Sequence, residues 1–388
     1  MIRISAFLLV AGLALPVTCH GEESSSSPLL VIGIDGGSWR AIEPLIDSGR
    51  LPHLARIKTE GAWGEMRAVP PLISPALWTE AATGRPRSEH GLIDFEISGS
   101  RVASSARRVK AIWNILSEEG RKVLIVGLLG TWPAEKVKGV IISDQALNKA
   151  IDRRAHPPEA LSGFGPFPAW NFTHPQQAWR LRRLLPGGSP REGDRQLAWM
   201  FLRDESLLRA AEHHLRRLRP SLFWFHLWGV DYASHFHWND PEFLARYYEF
   251  ADEAVGRLSR AADSGATVIV LSDHGFEGYV PQDGDPNPRA TGRHSTDGIL
   301  LARGPGIRPC SGVKASLFDM VPTLLYLQGL PVSQEMPGRV LYEMLAGDPP
   351  KAEIIASYES NRRPPETVPS AALGEEERRL LRALGYLK

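Results

Sequence analysis

The chain has 388 residues, enough for one large core or for one core with an inserted cap. Apolar residues make up 43% and charged residues 23%, an ordinary balance for a globular protein. Lys plus Arg total 45 against 44 for Asp plus Glu, so no basic field marks a nucleic-acid binder, and an anionic substrate must be held by a local site.

Residues 1–21 read as an export signal. Arg3 precedes an apolar run from Ala6 to Val17, and small or polar residues follow. The run is too short for an ordinary transmembrane helix. The expectation is a periplasmic or secreted protein with no transmembrane helix in the mature chain. Cys19 keeps a lipid anchor in play, although Thr18 is larger than the usual residue before a lipidated Cys. With the signal removed, Cys310 stands alone, which argues against disulfides and Cys-based chemistry.

Pro28–Ile34 is a continuous apolar run ending in Asp35-Gly36-Gly37, the pattern of a buried parallel strand followed by a turn. Amphipathic helices are expected over Ala41–Ser48, His53–Glu60 and Val109–Glu119. Val123–Gly127, Val140–Ser143, Leu222–Leu227 and Thr267–Leu271 read as further buried strands. Helical stripes precede the last two: Leu207, Leu208, Ala211, Leu215 and Leu218, then Phe243, Tyr247, Ala251, Ala254, Val255 and Leu258. Strands alternating with helices imply an α/β fold, with a mostly parallel central sheet and helices on both faces. Residues 29–345 are expected to form this domain. Residues 148–194, rich in Pro, Gly, Trp and Arg and without a period, read as a cap insertion, with a plain surface excursion as the equal alternative. Residues 346–388 read as a Pro-rich tail with a short helix, Glu375–Leu384.

Ligands of open parallel sheets collect outside the carboxyl ends of strands. Asp35, Asp231 with His235, and Asp273 with His274 each follow an apolar strand, and His294 lies in the loop before Gly298–Ala302. Three Asp and three His suit zinc or a similar divalent ion, and six ligands fit two ions rather than one. Each residue alone has a bland reading: a turn former or helix cap for Asp35, a solvated helix face for Asp231 and His235. Their joint occurrence in order favours a metal site. His237 is set aside as a neighbour of His235, and His213 and His214 as surface residues.

The residues then resemble a known family. Val31-Ile32-Gly33-Ile34-Asp35-Gly36, Pro70-Pro71-Leu72-Ile73-Ser74-Pro75-Ala76-Leu77-Trp78-Thr79 with Thr83-Gly84, and His90-Gly91-Leu92-Ile93-Asp94-Phe95 carry the first part of it. Gly229-Val230-Asp231 to His235, Leu271-Ser272-Asp273-His274-Gly275 and Gly292-Arg293-His294 carry the rest. The set is similar to the alkaline phosphatase superfamily, in its type I phosphodiesterase/nucleotide pyrophosphatase branch. The resemblance implies an alkaline phosphatase-like three-layer fold and two divalent ions, most often Zn2+. It implies that Asp231, His235 and His294 hold one ion, while Asp35, Asp273, His274 and Ser74 hold the other. It makes Ser74 the nucleophile of a hydrolase that passes through a phosphoryl-serine, with Thr79 as the rival hydroxyl. Coordination lowers the pKa of a serine hydroxyl, and two ions about 4 Å apart clamp both apical oxygens.

The sequence also departs from that family. Phe95 stands where nucleotide pyrophosphatases carry an Asn that donates to a phosphoryl oxygen. Pro75, after the nucleophile, has no N–H. Phe95, Thr131, Trp132 and Arg293 are therefore the expected substrate neighbours, with Arg293 and Thr131 as replacement donors. The expected substrate is a small-molecule or lipid phosphate ester, preferably a diester or pyrophosphate. A phosphomonoesterase or a mutase on the same scaffold and a catalytically silent exported binding protein are the alternatives. A sulfatase is disfavoured, because Ser74-Pro75-Ala76-Leu77-Trp78 lacks the Arg of a formylglycine motif.

Overall fold

A computed structural model describes residues 27–97, 100–162, 192–262, 264–283, 285, 288–359, 372–375, 378 and 381–382. The expected export signal with Cys19, residues 163–191 of the expected cap, and most of the expected C-terminal helix lie outside the described residues. In chain order the elements begin with β1 (Leu29–Ile34), α1 (Trp39–Asp47), α2 (Pro52–Glu60), β2 (Ala62–Arg67), α3 (Ser74–Thr83) and α4 (Arg87–His90). A short pair follows, β3 (Glu96–Ile97) and β4 (Ser100–Arg101), then α5 (Ile112–Glu118), β5 (Val123–Val126), β6 (Gly139–Ile142) and β7 (Ala155–His156). They continue with α6 (Glu192–Leu218), β8 (Leu222–Leu227), α7 (Gly229–His237), α8 (Pro241–Ala261) and β9 (Thr267–Leu271). The last are β10 (Gly275–Gly278), β11 (Gly292–Ser295), β12 (Asp297–Arg303), β13 (Cys310–Ser316) and α9 (Met320–Leu327).

Among the described residues, nine strands form one sheet in the order β13-β2-β12-β9-β1-β8-β5-β6-β7, with helices around it. The run β9-β1-β8-β5-β6 is parallel throughout. β12 runs antiparallel between β2 and β9. The three strands that matter most are wholly buried, which is why they read as unbroken apolar runs rather than as alternation. β1 lies between β9 and β8, with Gly33 opposite Leu271 on one side and His226 on the other. The carboxyl ends of three adjacent parallel strands thus meet at one rim.

The nucleophile helix of the resemblance, α3, packs against that rim. All ten of its residues are buried, and it ends at Gly84 in the left-handed conformation, whose N–H donates to the Glu80 carbonyl. Its Trp78 lies over Gly33: a Cβ at that position would come within 2.5 Å of the indole ring. Helix α8 is started by Asp240, whose side chain accepts the Phe243 N–H, with Pro241 at its first position. Its buried face carries the expected stripe, Phe243 to Leu258. Each such apolar side chain contributes about 1.5–3 kcal/mol on burial, so packing rather than propensity holds this helix.

Among the described residues, no helix is long and apolar enough to cross a membrane.

Candidate active site

Each metal-type residue reaches the rim from its own element. Asp35 follows β1 at a turn where Gly36 has φ +68°, and the Gly36 N–H donates to Asp273 Oδ1 at 3.3 Å. Asp231 lies in the first turn of α7, and His235 one turn later on the same face. Asp273 and His274 come straight after β9. His294 is not in a loop, as its flanking sequence suggests. It lies on β11, which pairs antiparallel with β10 and sets it opposite Phe276. The Leu72 carbonyl, in the loop before Ser74, lies 3.1 Å from His294 Nδ1. That contact leaves Nε2 for the site.

Two adjoining clusters result. Asp231 Oδ1 lies 3.1 Å from His294 Nε2 and 3.6 Å from His235 Nε2, and the two imidazole nitrogens are 2.9 Å apart. His274 Nε2 lies 3.5 Å from Asp35 Oδ1 and 3.6 Å from Asp273 Oδ2. The clusters touch, with His274 Nε2 3.8 Å from Asp231 Oδ1. Asp35, Asp273 and His274 could hold a metal ion, as could Asp231, His274 and His294. His274 therefore stands in both groups.

The donor set fits cations. Asp231 Oδ2 and Asp273 Oδ2 are buried without any hydrogen-bond partner. Leaving a carboxylate oxygen in that state is costly, and an ion beside it removes the cost. Burial pushes the Asp231 carboxyl up to about 6. Burial, with the negative charge of Asp35 added, pushes Asp273 well above the carboxylate range. Burial pulls His235 down to about 3, and burial plus the neighbouring His274 takes His294 well below its usual value. Both rings are then neutral and can offer a lone pair. His274 goes the other way: burial lowers it, but Asp273 and Asp35 outweigh that and carry it to about 10. Asp35 is held below the carboxylate range, because hydrogen bonds from His226 and His274 outweigh its burial.

Ser74 joins these groups. Its hydroxyl donates to Asp35 Oδ1 at 3.2 Å, and its Oγ is 3.4 Å from His274 Nε2. It is the first residue of α3, with Ile73 as the cap. Thr79 is buried, and its hydroxyl donates to the Pro75 carbonyl one turn back.

The expected substrate neighbours separate. Arg293 does not join the site: adjacent strand residues face opposite sides, so beside His294 it turns outward and pairs with Glu277 at 2.7 Å. The Thr131 hydroxyl donates to the Leu128 carbonyl at 2.6 Å, which commits it to its own loop. Trp132 Nε1 donates to the Asp152 carbonyl at 2.8 Å. Phe95 is buried and stacks on Trp228 with ring centroids 5.8 Å apart, and Trp228 is the residue that starts α7. His237 stacks on Phe243 and stays out of the clusters. His213 and His214 are half-exposed on α6, and His214 Nε2 is 2.8 Å from the Ala160 carbonyl.

Residues 29–287 match the model of the type I phosphodiesterase / nucleotide pyrophosphatase family. The chain belongs to this family. It is also similar over short stretches to 2,3-bisphosphoglycerate-independent phosphoglycerate mutases. The one from Synechococcus sp. is 36% identical over 117 residues, 28% of this chain and 22% of the mutase. The one from Cereibacter sphaeroides is 39% identical over 101 residues, 24% of this chain and 19% of the mutase. The chain thus spans about a fifth of the length of these curated relatives. Among solved structures, a 2-O GAG sulfatase superposes with a TM-score of 0.53 at 13% identity, over 84% of this chain and 76% of that one, a likeness of fold alone. Phosphonoacetate hydrolase from Sinorhizobium meliloti 1021, in complex with phosphonoformate, gives a TM-score of 0.46 at 22% identity, over 68% and 59%. The central sheet and the helices around it are those of the alkaline phosphatase-like fold.

The sequence reading passes over His226. It stands inside the apolar run Leu222–Leu227, where a lone His reads as a core residue. Only the pairing of β8 with β1 brings it to Asp35, with Nε2 3.0 Å from Oδ2. The signal available was its place in an otherwise apolar strand whose end leads to Asp231.

Proposed function

We propose that the chain is an exported two-metal hydrolase of phosphodiesters or pyrophosphates, with Ser74 as its nucleophile. The observation that carries this reading is the position of Ser74 Oγ, within 3.4 Å of both Asp35 Oδ1 and His274 Nε2 and at the amino end of α3. In this reading Asp35, Asp273 and His274 hold one ion with Ser74, and Asp231, His235 and His294 hold the other. Bound divalent ions, Zn2+ by the mixed carboxylate and imidazole donors, supply positive charge for the phosphoryl oxygens and acidify the serine hydroxyl. Ser74 Oγ attacks phosphorus and gives its proton to solvent, while the bond from phosphorus to the leaving oxygen breaks and that oxygen departs as alkoxide, phenolate or phosphate, taking up a solvent proton where its basicity requires one. Water then cleaves the phosphoryl-serine, releasing phosphate or a monoester and restoring the hydroxyl.

Metal ligands must be deprotonated, so binding competes with protons. The groups to be cleared are Asp231, raised to about 6, Asp273, raised well above the carboxylate range, and His274, raised to about 10. Apparent zinc affinity should therefore climb as pH rises from 6 toward 10, read by competition titration at several pH values. A flat profile across that window contradicts the charge assignment.

The local donors favour diesters. Pro75, at the second helical position, has no N–H, and the Ala76 N–H already donates to the Ile73 carbonyl at 3.0 Å. Phe95 has no side-chain donor to offer, and Arg293 is paired elsewhere. A monoester dianion brings one more charged oxygen, which finds no protein donor among these residues. Losing one oxyanion donor costs about a hundredfold or more in rate. Zinc-loaded protein should cleave bis(4-nitrophenyl) phosphate with a higher kcat/KM than 4-nitrophenyl phosphate, and Phe95→Asn should shift the ratio toward the monoester. A tenfold preference of the wild type for the monoester would overturn this choice of substrate.

A further inference from the structure

Asp35 differs from the other two carboxylates of the site. Asp231 and Asp273 each keep one buried oxygen without a protein partner. In Asp35 the oxygen that does not face Ser74 is filled from inside the protein. Its Oδ2 accepts the Trp78 Nε1–H at 2.9 Å and lies 3.0 Å from His226 Nε2. His226 is completely buried and sits between two oxygen acceptors, because its Nδ1 lies 3.2 Å from the Gly127 carbonyl. A carboxylate is the stronger acceptor, so Nε2 carries a hydrogen toward Asp35.

The arrangement is built by three elements. β8 supplies His226 next to Gly33 of β1, and α3 supplies Trp78 one turn after Ser74. The indole stands edge-on to the imidazole, with centroids 4.8 Å apart and planes at 76°. It reaches this place because Gly33 has no Cβ to block it. A buried histidine in an apolar strand is costly unless bonded, and here the bond its Nε2–H makes is the one to Asp35. A histidine kept only for packing has no reason to meet this particular oxygen.

We infer that His226 is a positioning residue: together with Trp78 it reserves Asp35 Oδ2, so that Asp35 offers a metal ion one oxygen only, Oδ1, held against Ser74 Oγ. This rests on the two-ion reading above. Oδ2, with two N–H donors on it, cannot swing round to chelate. The carboxylate cannot rotate without breaking both bonds, so Oδ1 stays 3.2 Å from the Ser74 hydroxyl. The indole ties this clamp to the same helix that carries the nucleophile.

The test compares two substitutions in the full chain, His226→Gln and His226→Asn. The Gln amide nitrogen falls near the place of Nε2 and keeps the donor to Asp35. The Asn nitrogen falls near the place of Nδ1 and keeps only the contact to Gly127. Zinc affinity is read by competition with a chromogenic chelator, and thermal unfolding of the metal-free proteins serves as the structural control. His226→Asn should weaken one of the two zinc sites by about 10- to 100-fold, the size typical of losing a hydrogen bond to a metal ligand. His226→Gln should recover most of that loss, although the two variants unfold at similar temperatures. Equal zinc affinities in the two variants would overturn the inference. If His226→Asn does not fold, Trp78→Phe removes the other N–H from the same oxygen and should show the same loss, and an unchanged affinity there overturns it too. Wild-type protein that takes up fewer than two zinc ions overturns the two-ion reading, and this inference with it. Wild-type protein that takes up two, with variants that do not differ, overturns this inference alone.

Discussion

Replacing Ser74 with Ala should lower kcat by about a thousandfold or more, while the fold and both metal sites survive. The size follows from what is removed. Ser74 contributes the only hydroxyl within 3.4 Å of both Asp35 Oδ1 and His274 Nε2 among the contacts described. Without it no covalent phosphoryl-enzyme can form, and water must attack unaided by a fixed oxygen. The structural cost is modest, because one hydrogen bond to a carboxylate contributes roughly 1.5–3 kcal/mol. Thr79→Ala supplies the control. Its hydroxyl is spent on the Pro75 carbonyl, so its loss should change kcat only a few-fold. Rate measurements on zinc-loaded variants, with zinc content measured alongside, decide between the two hydroxyls.

The second large effect is expected from Asp273→Ala combined with His274→Ala. Together with Asp35 these two residues form one of the candidate ion groups, and removing them leaves a single carboxylate there. Zinc content should fall from two ions to one. A bound ion stabilises developing charge by several kcal/mol, so kcat should drop by about a thousandfold or more. The stabilisation gained on adding zinc should shrink, since a ligand stabilises the folded state only through sites that remain. Metal analysis and thermal unfolding with and without zinc measure both effects. A variant that still holds two ions contradicts the assignment of this group.

The parts of the fold legible in the sequence were those with a single physical cause. β1, β8 and β9 are buried throughout, so each is an unbroken apolar run, and the acidic residue beyond each run marks its carboxyl end. β2 was illegible for the opposite reason. Ala62-Trp63-Gly64-Glu65-Met66-Arg67 mixes a half-exposed Trp and Glu with a Gly, and what makes it a strand is its pairing with β12 and β13. His294 shows the same limit. Four residues, Gly292–Ser295, give no strand signal alone, and the hairpin partner β10 defines them. The site was legible as a set of residue types and illegible as a set of orientations. The alternation that sends His294 inward sends Arg293 to Glu277, while the Thr131 hydroxyl is spent on a carbonyl of its own loop and the Trp132 indole on a carbonyl of the segment after β6. His226 was hidden because strand register, absent from a single sequence, is what places it on Asp35.

The most direct test of the central claim is the identity of the phosphorylated residue. Zinc-loaded protein turning over a diester is quenched in acid, digested and mapped by mass spectrometry. The account predicts a phosphoryl group on the peptide that begins α3, located on Ser74. A phosphoryl group on Thr79, or on any other residue, contradicts the assignment of the nucleophile, and a fully active enzyme whose Ser74 never carries one contradicts the covalent mechanism itself.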